Sequence, residues 1–256
     1  MQAEIRTCME FAVDAAWQAG RITQRYFQTG IEAEWKKDES PVTVADREAE
    51  AKLRQIIGKY YPNDGIVGEE YGVEEGSSGY RWFIDPIDGT KSFIQGVPLY
   101  GVLLAREGIN GVDVGCVYMP ALDEMVWAGR GEGCWWNGRR AGVSVIDKLE
   151  DACICYTSWR SFAENGRAKA WEALTGAVRI HRGWGDCYGH ILVATGRAEA
   201  SFDPIMNPWD CGPLLPILQE AGGTFTDWDG NATIHGKDAF SSNGHVFSAV
   251  QEHIKS

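Results

Sequence analysis

The chain has 256 residues, 44% of them hydrophobic and 23% charged, which supplies a sizeable core and excludes a disordered chain. Its 36 acidic against 24 basic residues leave a net charge of −12, and no Lys/Arg cluster is longer than two residues. That balance excludes sequence-independent binding to a nucleic-acid backbone. An anionic ligand would have to be met by local positive devices such as a metal or a helix N-terminus.

In chain order, apolar residues at Ile5, Cys8, Met9, Ala12, Ala15, Ala16, Ala19, Ile22 and Tyr26 predict one amphipathic helix ending near Gly30. The N-terminal segment mixes acidic with apolar residues and lacks a basic n-region, so it is not read as a signal peptide. A second helical stripe, Ala49, Leu53, Ile56, Ile57 and Tyr60, stops before the turn cluster Pro62-Asn63-Asp64-Gly65. Ile66-Val67 and 80–84 read as strands that deliver carboxylates at their C-terminal ends, the second stopping at Asp85-Pro86. Residues 99–106, 112–119, 125–128 and 134–136, separated by Gly-bearing turns, predict an antiparallel meander. The Gly129–Gly133 stretch lies between two of these strands and reads as a hairpin rather than a dinucleotide loop. Its neighbours Trp127, Trp135 and Trp136, like Trp82, read as core or interface residues.

From about residue 150 strands and helices alternate: strands at 152–156, 178–180, 198–202 and 224–227, helices at 163–174, 187–195 and 211–221. The expected organisation is an α+β half over 1–148 and an α/β half over 149–256 that together form one compact unit, with the ligand between them. Seven cysteines without a CxxC pair read as free thiols of a cytoplasmic protein, and no apolar run approaches the roughly 18 residues that would span a bilayer.

The chemistry concentrates in Trp82-Phe83-Ile84-Asp85-Pro86-Ile87-Asp88-Gly89-Thr90-Lys91. An apolar strand runs into Asp85, Pro86 bends the chain, and Asp88 follows three residues later, so both carboxylates turn to one side of the loop. Two carboxylates so close repel unless a cation lies between them, and a hard divalent ion would also take the Ile87 carbonyl. Gly89 permits close backbone approach, and Thr90-Lys91 opens a helical turn whose free N–H groups suit a phosphate. Asp-Pro-x-Asp-Gly is also a good turn in its own right. The segments Gly68-Glu69-Glu70 and Trp209-Asp210 extend it to a carboxylate set.

Those segments, with Ser40-Pro41-Val42-Thr43-Val44-Ala45-Asp46 and Glu220-Ala221-Gly222-Gly223, in this order, resemble the inositol monophosphatase family of magnesium-dependent phosphomonoesterases. The likeness covers nearly the whole chain. Thr90-Lys91-Ser92-Phe93, Cys134-Trp135-Trp136-Asn137-Gly138 and Arg182-Gly183-Trp184-Gly185-Asp186-Cys187-Tyr188-Gly189 are more similar to the family's histidinol-phosphate phosphatase branch than to its inositol phosphatases. The resemblance implies a layered αβαβα sandwich, an α+β / α/β fold, and a homodimer that hydrolyses a small phosphomonoester with two or three Mg²⁺ ions per site. It implies that Glu69, Asp85, Ile87, Asp88 and Asp210 hold metal. A water would attack while its proton passes toward Thr90, oriented by Asp46. Asp88, Gly89, Thr90, Lys91 and Asp210 would contact phosphate or its metal shell, and Arg182, Asp186 and Asp203 the substrate. Asp186 reads equally as a helix N-cap, and Lys36-Lys37-Asp38 as a closing loop or a plain solvated one. The alternatives are a phosphatase of inositol 1-phosphate or another sugar phosphate, and a non-catalytic metal-binding regulator. No N-terminal Asp-x-Asp pair or HExxH spacing is present, which disfavours aspartyl and zinc hydrolysis.

Overall fold

In the computed structural model, which describes residues 2–37 and 40–254, the first apolar stripe forms helix α1 (Gln2–Tyr26), with Cys8, Ala12, Ala15, Ala16 and Ala19 fully buried. The small alanines let α1 lie close on the sheet beneath it, so burial of this face holds the helix. A short antiparallel ribbon, β1 (Glu34–Trp35) with β2 (Pro41–Val42), leads into α2 (Val44–Tyr60). Asp38 of the expected closing loop lies outside the described residues.

Eight strands then build one sheet: β3 (Gly65–Gly68), β4 (Gly72–Glu74), β5 (Arg81–Asp88), β6 (Gly101–Gly108), β7 (Gly111–Met119), β8 (Glu124–Gly129), β9 (Gly133–Trp136) and β10 (Arg139–Arg140). Their order is β10-β9-β8-β7-β6-β5-β3-β4, with β3 and β5 parallel and the other pairs antiparallel. The central strands are apolar on both faces because both faces are covered. Trp82, Ile84 and Leu104 pack with α1 and α2, while the alternating Phe83, Leu103 and Ala105 join the cluster on the other side. Helix α3 (Thr90–Ile94) follows directly on β5.

The second sheet contains β11 (Cys153–Tyr156), β12 (Ile180–Arg182), β13 (Ala200–Asp203), β14 (Thr224–Thr226) and β15 (Ala239–Ser242), in the order β12-β11-β13-β15-β14. Between the sheets lie α6 (Asp186–Ala194) and α7 (Pro208–Glu220); α7 touches β5 to β9 on one side and β14 and β15 on the other. On the outer face, α4 (Trp159–Glu164), α5 (Ala168–Ala177) and α8 (Phe247–Ile254) cover the second sheet through Phe162, Trp171, Leu174 and Val250. Helices, sheet, helices, sheet, helices are the five layers of the expected sandwich.

The structure corrects several element boundaries. The single helix expected at 163–174 is two, because Ser158 caps α4 and Gly166 at φ +71° ends it. The strand expected at 178–180 is β12, two residues later. Pro86 does not end β5: the strand continues to Asp88, and its pairing with β6 shifts register between Asp85 and Asp88. The four residues of β15 and the helix α8 were not foreseen. The Gly129–Gly133 stretch is the β8–β9 hairpin turn, held by the Glu220 carboxylate, which accepts from the N–H groups of Gly131 and Gly133 at 2.7 and 2.8 Å.

Candidate active site

The register shift in β5 puts Asp85 and Asp88 on one side of the chain. Asp85 is 2% exposed, and its Oδ1 accepts the Ile87 N–H at 2.9 Å. Asp210 sits in the first turn of α7, where its Oδ2 accepts the Asn207 N–H at 2.8 Å. Carboxylate oxygens of Asp85, Asp88 and Asp210 all lie within 4.8 Å of one another. Burial pushes all three carboxyls up, Asp88 and Asp210 to about 7 and Asp85 well above its ordinary value, and their mutual charge adds to the effect. Like charges held this close, each fixed by a backbone N–H, suit a hard divalent cation taking oxygen ligands.

Glu69 stands at the edge of this set. Its charge raises the carboxyls of Asp46, Asp85 and Asp210, but its own Oε1 lies 2.9 Å from the Lys36 ammonium, which also reaches Glu70 at 2.7 Å. Lys36 is therefore the cation on Glu69 in this arrangement, a pairing absent from the sequence reading. The expected Asp46–Thr90 contact is also replaced. Asp46 Oδ2 accepts from the Thr43 N–H at 2.8 Å and from its hydroxyl at 2.6 Å, capping α2, and Oδ1 is buried with no partner among the described residues. Thr90 instead donates its hydroxyl to the Ile87 carbonyl at 3.0 Å. Burial lifts Asp46 to about 6.

Gly89 makes the turn from β5 into α3 at φ +84°, and a Cβ there would stand 2.9 Å from the Leu99 carbonyl oxygen, so only glycine fits. A cavity of about 220 Å³ opens beside the carboxylates, lined by Asp88, Lys91, Asp186, Asp203, Ile205 and Asp210 among others. Asp186 is not the N-cap of α6. Gly185 holds that position, and Asp186 follows at φ +52° with its N–H donated to the Thr157 hydroxyl at 2.7 Å. Burial first, then Asp88 and Asp203, push its carboxyl well up, and Lys91 opposes them. Asp203 is part of the cavity wall rather than its rim, 5% exposed. Arg182 is exposed on the edge strand β12, bonded to the neighbouring His181 carbonyl, and does not line the cavity. The Cys187 N–H, which donates to Asp88 Oδ2 at 2.5 Å, carried no signal in the sequence, because backbone donors are not residue-specific.

A model of the inositol monophosphatase family matches residues 4–255. The chain belongs to that family. As a family member it is 42% identical over 237 residues to a histidinol-phosphatase of Chlorobaculum parvum, covering 92% of each chain. It is 36% identical over 245 residues to a histidinol-phosphatase of Mycobacterium tuberculosis, covering 93% of this chain and 94% of the relative. Among solved structures, the extragenic suppressor protein SuhB of Bartonella henselae superposes with a TM-score of 0.92 at 28% identity, covering 98% of this chain and 99% of its own. The inositol monophosphatase fold expected from the motifs is thus the fold observed.

Proposed function

We propose that the protein is a Mg²⁺-dependent phosphomonoesterase that hydrolyses histidinol phosphate to histidinol and phosphate, in histidine biosynthesis. The observation that carries the reading is the convergence of Asp85, Asp88 and Asp210 within 4.8 Å beside a cavity whose wall is itself acidic, at Asp186 and Asp203. The acidic wall suits an alcohol that bears an amine and an imidazole, and the similarity to histidinol-phosphatases supports the same substrate. A neutral polyol could also donate its hydroxyls to these carboxylates, but a cationic alcohol gains their charge as well.

Asp85, Asp88, Asp210, Glu69 and the Ile87 carbonyl would hold the Mg²⁺ ions. When bound, these ions supply the positive charge that offsets the phosphoryl oxygens and makes water acidic enough to attack. Gly89, Thr90 and Lys91 hold the phosphate in line. For the attacking water's proton to pass by way of the Thr90 hydroxyl to Asp46, that hydroxyl would have to turn from the Ile87 carbonyl, to which it donates here, toward the carboxylate. Asp186 and Asp203 orient the departing alcohol. Lys36 must leave Glu69 before the full ligand set forms.

We further propose that the halves 1–148 and 149–256 act as one unit joined through α7, and that the enzyme is a cytoplasmic homodimer. The seven free cysteines support that compartment. No helix of the described residues is long and apolar enough to cross a membrane. The test of the activity is phosphate release from histidinol phosphate by EDTA-treated protein before and after Mg²⁺ is restored. Release only with Mg²⁺ supports the reading, and equal release in both states contradicts it.

A further inference from the structure

Asp203 meets the cavity wall from the end of β13, and its Oδ2 lies 3.0 Å from Nε2 of His190 on α6. The other ring nitrogen, Nδ1, lies 2.9 Å from the hydroxyl oxygen of Ser241 on β15. His190 and Ser241 are fully buried, and the Phe225 ring stands edge-on to the imidazole at 5.8 Å between centroids. Three elements thus converge on one imidazole and leave it no freedom to turn. Asp203 Oδ1 has no hydrogen-bond partner among the described residues.

We infer that His190 is a positioning residue that holds Asp203 as a fixed acceptor for the cationic end of the substrate, and so sets the preference for phosphomonoesters of an amino or imidazole alcohol. The inference rests on the substrate reading proposed above and adds the device that enforces it. With the Ser241 hydroxyl donating to Nδ1, the ring hydrogen sits on Nε2 and the ring donates to Asp203. One carboxylate oxygen is then committed to His190 and the other is left for the ligand. The alcohol leaves Asp203 with its own charge unchanged, so the residue acts on binding and orientation rather than on the phosphoryl step.

The test compares kcat/KM for histidinol phosphate with that for glycerol 2-phosphate, which carries no cation, at saturating Mg²⁺. In His190→Met this ratio is expected to fall at least about tenfold through KM, because a charge-assisted contact loses its support. His190→Gln, which keeps a side-chain N–H in reach, is expected to restore it to within about threefold. In an Asp203→Asn background His190→Met should lower the ratio no further, since its effect runs through Asp203. Equal losses on both esters, or full additivity with Asp203→Asn, would overturn the inference. Ser241→Ala keeps the ring but frees its tautomer, and is expected to lower the ratio at least about threefold. A ratio unchanged in Ser241→Ala contradicts the inference even where His190→Met does not fold. A wild-type enzyme that prefers the neutral ester would instead overturn the substrate reading, while coupling between positions 190 and 203 on that ester would still decide the role of His190.

Discussion

Asp88 and Asp210 each belong both to the carboxylate cluster and to the cavity wall, so the two carry much of the proposed chemistry. Asp88→Asn removes one negative charge with almost no change of shape. It is expected to lower kcat by at least about 100-fold while leaving the circular dichroism spectrum intact. Activity within about twofold of wild type would remove Asp88 from the metal set. Lys36 permits the opposite experiment. Its ammonium occupies Glu69 and Glu70, so Lys36→Met should free Glu69 and lower the Mg²⁺ concentration that gives half-maximal rate. A Mg²⁺ requirement that rises would mean that Lys36 supports metal binding rather than competing with it.

Helix α7 brings Asp210 to the site, and its seat is unusually close. A Cβ on Gly115 of β7 would stand 2.3 Å from the Pro213 carbonyl oxygen and 2.8 Å from its Cα. Backbone cannot yield as a side chain can, so Gly115→Val should destabilise the fold by about 1–3 kcal/mol, read from the urea midpoint, and should weaken activity by displacing Asp210. Unchanged stability would show that α7 does not rest on this glycine. Elements such as α1, α2 and β6 to β8 were legible in the sequence because their periodicity is long and their ends carry turn residues. Others were not. The four residues of β15 are all buried and show no alternation, and Pro86 concealed the continuation of β5, since a proline tolerated at a register shift looks the same as one that ends a strand. In the site, Asp85, Asp88 and Asp210 were legible because each sits at a strand end or helix start with a local reason to be there. The Lys36–Glu69 pair, the Thr43–Asp46 cap that replaces the Asp46–Thr90 contact, and the His190–Asp203–Ser241 chain depend on how separate segments meet in three dimensions. Periodicity and spacing carry no record of that.

The net charge of −12 belongs to the bare polypeptide. Without metal, Asp85, Asp88 and Asp210 have carboxyls raised above their unfolded values, chiefly by burial, and Asp46 shares the shift. A raised folded-state value means that folding favours the protonated form. This contribution is fully present below the unfolded value near 3.9 and is lost as pH rises through about 7. The metal-free protein should therefore lose melting temperature between about pH 4 and 7, and saturating Mg²⁺ should remove most of that slope in the same thermal scans. A slope unaltered by Mg²⁺ would separate the buried carboxylates from the metal. The acidity that seemed awkward for an anionic substrate is in part the inventory of a cation site, and the additional carboxylates of the cavity wall are where the leaving alcohol would rest. The most direct test of that assignment is kcat/KM for Mg²⁺-supported phosphate release from histidinol phosphate against inositol 1-phosphate under identical conditions. An advantage of at least about tenfold for histidinol phosphate is expected, and a higher value for inositol 1-phosphate would contradict it.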